Sequence, residues 1–319
     1  MTNRKTKLAA AALLALGLGF AGHASANVYA VSSLEISDAT ILVTEAGTQN
    51  LAIVQIVNFD FVATNTATLN GIPGPTIEDD CDGTPLSNDC GTGGVGDPVL
   101  APGAANAPGN TIDRADDFFG FLGPDDQQYA TSNSIIETAQ LVDITQTTNT
   151  QQIAEVEIQG GTQASGNAEI TSVTGLNFTF SVNDRFDFLL SFDATPYVRV
   201  ASTALANEPL TARADVSARA RLENDATGET IEFLPGQLNT GRSTTNKPRD
   251  IIYNPGEIGF SFAALDLDPG EWDLTLFLQT SANVTQGVPV PEPGTMALFG
   301  LGLVGFGLAA ATRRRLQGS

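Results

Sequence analysis

Along residues 27–288 apolar and polar positions alternate with a period of two, the pattern of a strand that buries one face and wets the other. Leu210–Glu223 shows it most fully. Ala212, Ala214, Val216, Ala218, Ala220 and Leu222 fall on one side, and Thr211, Arg213, Asp215, Ser217, Arg219 and Arg221 on the other. Alanine favours helix by propensity, but helical winding would spread these arginines around the whole circumference. Strand is the consistent reading.

Leu176, Phe178, Phe180 and Val182 alternate in the same way. After Asn183-Asp184 come Phe186, Phe188, Leu190 and Phe192, which reads as an aromatic hairpin at the centre of the core. Trp272, Leu274, Leu276 and Leu278 form another run, entered through the turn Asp268-Pro269-Gly270. Further strands are predicted at Val28–Ile36, Thr40–Thr44, Leu51–Thr64, Ser134–Ile144, Gln152–Ile158, Ala168–Val173, Tyr197–Ser202, Thr230–Leu234 and Ile258–Ala263. No long helix stands out between them. Many short strands at this spacing predict an all-β body, an antiparallel β-sandwich, with jelly-roll and immunoglobulin-like topologies both open.

Gly71–Asn110 breaks the alternation with Gly, Pro, Asp and Asn, and reads as a long loop in the β-rich domain 27–288, either an insertion or a linker after an N-terminal β-hairpin. It holds the chain's two cysteines, Cys81 and Cys90, which in an exported protein most simply form one disulfide. Glu78, Asp79, Asp80, Asp82 and Asp89 cluster around them. Hard oxygen ligands on an irregular loop are what calcium asks for, yet the spacing matches neither the EF-hand nor the nonapeptide calcium repeat. A solvated acidic loop is the plainer reading, so no cofactor is expected, calcium on Asp79, Asp80, Asp82 and Asp89 being the one candidate. Asp113, Asp116, Asp117, Asp125 and Asp126 flank the apolar knot Phe118–Leu122, which is expected to tuck into the sandwich.

The two ends follow other rules. Arg4, Lys5 and Lys7 precede the apolar stretch Leu8–Ala21, and Ala24-Ser25-Ala26 has the A-x-A form. Residues 1–26 therefore read as a signal peptide, cut by signal peptidase before Asn27. At the other end Pro289, Pro291 and Pro293 prescribe an extended strap, because proline fixes φ and supplies no N–H. Met296–Ala311 carries no charge, and Arg313-Arg314-Arg315 closes the run. Sixteen residues make about 24 Å of helix at 1.5 Å per residue. With Thr295 and Thr312 and some local thinning, a helix over 295–312 spans a bilayer. The arginines stay cytoplasmic and everything before Pro289 lies outside.

This tail, residues 289–319, resembles the PEP-CTERM sorting signal of Gram-negative bacteria. Pro291-Glu292-Pro293, the Gly-rich apolar helix and the basic end carry the resemblance. It implies that an exosortase recognises the tail and cuts at or near Pro291–Pro293, with the catalytic cysteine on that partner. It also implies a transient membrane anchor, then release or transfer to the surface, usually in exopolysaccharide-producing bacteria.

Charge and histidine narrow the body's role. Of 15 basic residues three lie in the signal peptide and three at the end of the tail, leaving nine against 36 acidic ones up to Glu292, a net charge of −27. That balance opposes binding to nucleic acid and fits a soluble protein beside a matrix. The one histidine, His23, lies in the signal peptide, so the body has no imidazole for a nucleophile–base pair or a zinc site. The expected function is a non-enzymatic surface or extracellular-matrix protein associated with exopolysaccharide or biofilm. A carbohydrate-binding sandwich is the alternative, and a two-carboxylate carbohydrate-active enzyme a weaker one.

Overall fold

The structure is a computed structural model that describes residues 27–84, 87–88, 99–100, 119–124, 128–136, 148–158, 164–203 and 209–287. The signal peptide and the tail, including the predicted helix 295–312, lie outside the described residues.

The described residues form strands in the order β1 (Val28–Glu45), β2 (Val54–Leu69), β3 (Ile72–Pro73), β4 (Ile77–Thr84), β5 (Ser87–Asn88), β6 (Val99–Leu100), β7 (Tyr129–Ile136) and β8 (Thr148–Ile158). They continue with β9 (Ala164–Val182), β10 (Phe186–Ser202), β11 (Leu210–Asn224), β12 (Thr230–Phe233), β13 (Thr240–Thr245), β14 (Arg249–Tyr253), β15 (Ile258–Leu267) and β16 (Gly270–Gln286). Among these residues two antiparallel sheets assemble. Sheet A runs β14-β10-β1-β8-β7-β6 with β15 also on β10; sheet B runs β12-β11-β16-β9-β2-β4-β5 with β13 on β11 and β3 on β2. The expected β-sandwich is present.

The core lies between the sheets and is built by the alternation. On β11 every second residue from Leu210 to Leu222 is buried. β10 does the same from Phe186 to Val200, and both strands pack into one cluster with Phe59, Phe61, Phe178, Phe180 and Trp272. Trp272 and Phe180 are completely buried. The alanines of β11 leave room for these rings, so large and small residues interlock across the layers.

The aromatic hairpin is corrected to an arch. β9 belongs to sheet B and β10 to sheet A, so Asn183–Arg185 crosses from one layer to the other. Phe180 faces Phe186 and Phe188 across the core, with centroids 6.0 and 6.1 Å apart. Period-two alternation is identical for hairpin partners and for strands stacked face to face, which is why the pattern alone misassigned the pair. Asp187 steadies this end. Its carboxylate accepts the N–H of Gly47 at 3.0 Å and of Asp266 at 2.7 Å.

Two predicted strands, Val28–Ile36 and Thr40–Thr44, are one. β1 runs through both and absorbs the break as a bulge between Ser37 and Thr40, with Asp38 at φ 52°. The segment read as loop from Gly71 holds β3, β4, β5 and β6, and β4 pairs with β2 from Ile77 to Gly83. β10 contains Pro196 in mid-strand, a position that costs a ladder bond unless that edge is open. Here β15 pairs with β10 up to Ala194 and β14 resumes at Val198, so the proline falls in the gap.

Candidate functional site

Among the described residues, the outer face of sheet A carries the two fully buried carboxylates. Register sets it out in rows: Tyr129, Glu157 and Tyr29 lie side by side across β7, β8 and β1, and the next row holds Thr131, Glu155, Val31 and Arg199. Glu155 and Glu157 are both fully buried, although an alternating strand would set them in water. A second cluster explains the burial. Phe119 and Leu122 pack over Tyr29, Val31, Tyr129 and Ile153, so the segment 119–124 roofs this face.

The Glu155 carboxylate holds the roof. Its Oε2 accepts the N–H of Leu122 at 3.0 Å, and its Oε1 accepts the N–H of Gly123 at 2.9 Å and the Tyr29 hydroxyl at 2.5 Å. Tyr129 adds a third tie to the roof by donating its hydroxyl to the Gly123 carbonyl at 2.9 Å. Gly123 has φ +80°, a conformation glycine reaches without steric cost and which this turn uses. Burial pushes the Tyr29 and Tyr129 hydroxyls well above the ordinary phenol range, and the neighbouring Glu155 carboxylate adds to both shifts. Arg199 lies over the Tyr29 ring at 5.7 Å and forms a two-pronged pair with Asp250, Nε and Nη2 each 2.9 Å from a carboxylate oxygen.

Beside this latch lies a groove of about 290 Å³. Phe121 and Tyr197 stack along it with centroids 4.4 Å apart, and Phe121 keeps 43% of its surface exposed. Glu35, Gln151, Thr195 and Asn254 supply polar lining. Gln151 Nε2 donates to Glu35 Oε1 at 3.2 Å across adjacent strands. The groove ends where the β14–β15 connection carries Asn254, beside the gap that accommodates Pro196. A larger concavity on the outer face of sheet B, lined by Arg213, Asp215, Asn239, Gln279 and Asn283, contains no aromatic side chain.

The residues singled out from the sequence fall elsewhere. The knot at Phe118–Leu122 was expected inside the sandwich; Phe119 and Leu122 instead cover the outside of sheet A. Asp79, Asp80 and Asp82 lie on β4, a paired strand rather than an irregular loop, with Asp80 opposite Val62 and Asp82 opposite Asp60. Cys81 stands opposite Phe61 on that strand. Cys90, Asp89, Asp113, Asp116, Asp117, Asp125 and Asp126 lie outside the described residues, as do Ala24, Ala26, Pro291, Glu292, Pro293 and Arg313–Arg315. Asn27 begins the described chain and donates its N–H to Thr203 Oγ1 at 2.8 Å. The Tyr29–Glu155–Tyr129 cluster was missed. Its one trace in the sequence is two glutamates alternating with Ala154 and Val156, which is also how a wet face reads.

Comparison with known proteins decides the tail. Residues 289–315 match the family model of the PEP-CTERM protein-sorting motif. The chain carries a PEP-CTERM sorting signal. That motif implies export, processing by an exosortase at the membrane, and a final place outside the cell or on its surface. No curated protein and no solved structure matches the chain. The PEP-CTERM match covers the address and leaves the β-sandwich it delivers to be read from its own residues.

Proposed function

We propose that the protein is a non-enzymatic component of the bacterial surface or extracellular matrix, freed from its anchor by an exosortase and associated with exopolysaccharide. The PEP-CTERM motif at residues 289–315 is the observation that carries this reading. The body supports it with an acidic, imidazole-free sandwich in which the buried Glu155 serves to fasten a roof. Replacing Pro291-Glu292-Pro293 with alanines and fractionating the cells tests it. The full-length form is expected to accumulate in the membrane, and undiminished release overturns the sorting step.

A second reading, a carbohydrate-binding sandwich, is favoured by one observation, the stacked Phe121–Tyr197 pair beside amide, hydroxyl and carboxylate groups. Aromatic faces take the C–H side of a sugar ring while planar polar groups take its hydroxyls. The two readings are compatible, since a matrix protein that holds polysaccharide needs such a surface. An enzyme built on paired carboxylates draws less support, because both Glu155 oxygens already accept hydrogen bonds.

A further inference from the structure

The sheet A groove combines a stacked aromatic pair with charged and polar groups. Its donors and acceptors are set at fixed places. Gln151 Nε2 is committed to Glu35 Oε1, which turns Gln151 Oε1 and Glu35 Oε2 into acceptors on neighbouring strands. Asn254 Oδ1 is occupied by the N–H of Gly256 at 3.2 Å, which leaves the Nδ2 group to donate. The Thr195 hydroxyl does either. Acceptors on one side and a donor on the other suit vicinal hydroxyls, each of which gives one hydrogen bond and takes another.

The charged groups exclude the opposite class. Glu35 is the acidic side chain of the groove lining, and Arg199, on the same face of β10, is engaged by Asp250 through two bonds. A uronate or sulfated sugar would bring a carboxylate or sulfate toward Glu35, and among the described lining residues there is no cation to receive it. The whole chain, at a formal net charge of −21, repels it further. At about 290 Å³ the groove is at the lower bound of ligand sites, which fits a short segment of a chain rather than a folded partner.

We infer that this groove binds a neutral or amino-sugar segment of a polysaccharide, with Phe121 and Tyr197 against a ring and Gln151, Glu35 and Asn254 on its hydroxyls. The inference rests on the carbohydrate-binding reading and adds to it the place and the charge class. The test titrates the full-length chain isolated in detergent with cellohexaose, the chitosan hexamer and hexaguluronate by calorimetry, alongside Phe121→Ala and Asn254→Ala. Emission of the buried Trp272 checks that each variant is folded.

The expected result is binding of cellohexaose or the chitosan hexamer, none of hexaguluronate, and a loss of about tenfold or more in each variant. Binding that persists undiminished in both variants overturns the groove while the carbohydrate reading stands. Hexaguluronate binding as tight as cellohexaose overturns the charge class. Failure of all three oligosaccharides overturns both the groove and the carbohydrate reading.

Discussion

Phe180 of β9 meets Phe186 of β10 edge to face, centroids 6.0 Å apart, and each belongs to a different sheet. The chain thus changes layers at Asn183–Arg185 and closes its own core with the rings on either side of the turn. Trp272 completes the contact, T-shaped against Phe186 at 5.8 Å. Phe180→Ala is expected to destabilise the fold by about 3–5 kcal/mol, the range for an aromatic truncated in a packed core. Urea unfolding followed by Trp272 fluorescence measures it, and a cost under about 1 kcal/mol would remove this contact from the centre of the core.

Glu155 ties the roof through two backbone N–H groups, so its removal has a local signature. Glu155→Ala leaves the amides of Leu122 and Gly123 without their acceptor and is expected to cost about 1–3 kcal/mol. Hydrogen exchange at those two amides should accelerate well before the sandwich amides of β10 and β16 respond. Uniform acceleration across the domain would mean that Glu155 supports the whole fold rather than the roof.

The tyrosines beneath the roof give the fold an alkaline limit. Tyr29 and Tyr129 are held protonated above the ordinary phenol value, chiefly by burial and then by Glu155. Raised folded values contribute stability that is complete below about pH 10, the unfolded phenol value, and is lost as pH climbs beyond it. The melting temperature should therefore fall from about pH 10 upward, and Tyr129→Phe should flatten that fall. A melting temperature unchanged between pH 9 and 11 would contradict the burial of both hydroxyls.

Asp187 acts at the opposite limit. Its carboxylate is held below the usual value by the N–H groups of Asp266 and Gly47. A lowered folded value contributes stability above the unfolded aspartate value of about 3.9, lost as pH falls through the folded one. Asp187→Asn should shrink the acid-induced loss of stability between about pH 4 and 2, read from denaturation midpoints.

Much of the fold was legible because alternation reports burial directly. β11 emerges from the sequence nearly whole, since its inward residues are apolar and its outward ones polar. β16 is read only from Trp272 to Leu278, because Thr280 and Gln286 on its inward side are polar. Partnership was not legible, as Phe178–Phe192 shows: the same period describes a hairpin and an arch, and only the packing between sheets separates them. β13 and β14 escaped notice because Thr240–Thr245 and Arg249–Tyr253 lie at sheet edges with mostly half-buried or exposed side chains and no apolar alternation. The candidate site was hidden by its cover. Glu155 and Glu157 look like solvent-facing residues until Phe119–Gly123, distant in sequence, is laid over them.

The strand that hands the chain on toward the PEP-CTERM tail is β16, and it lies inside sheet B. β11 pairs with it from Leu210 to Asn224 on one side, and β9 from Ala164 to Val182 on the other. Tension applied through residues 288–319 runs along this strand and loads both hydrogen-bond ladders in shear, many bonds at once. An edge strand under the same pull would be held by one ladder instead of two. A pull from the sorting tail therefore meets the sandwich at a strand bonded on both sides.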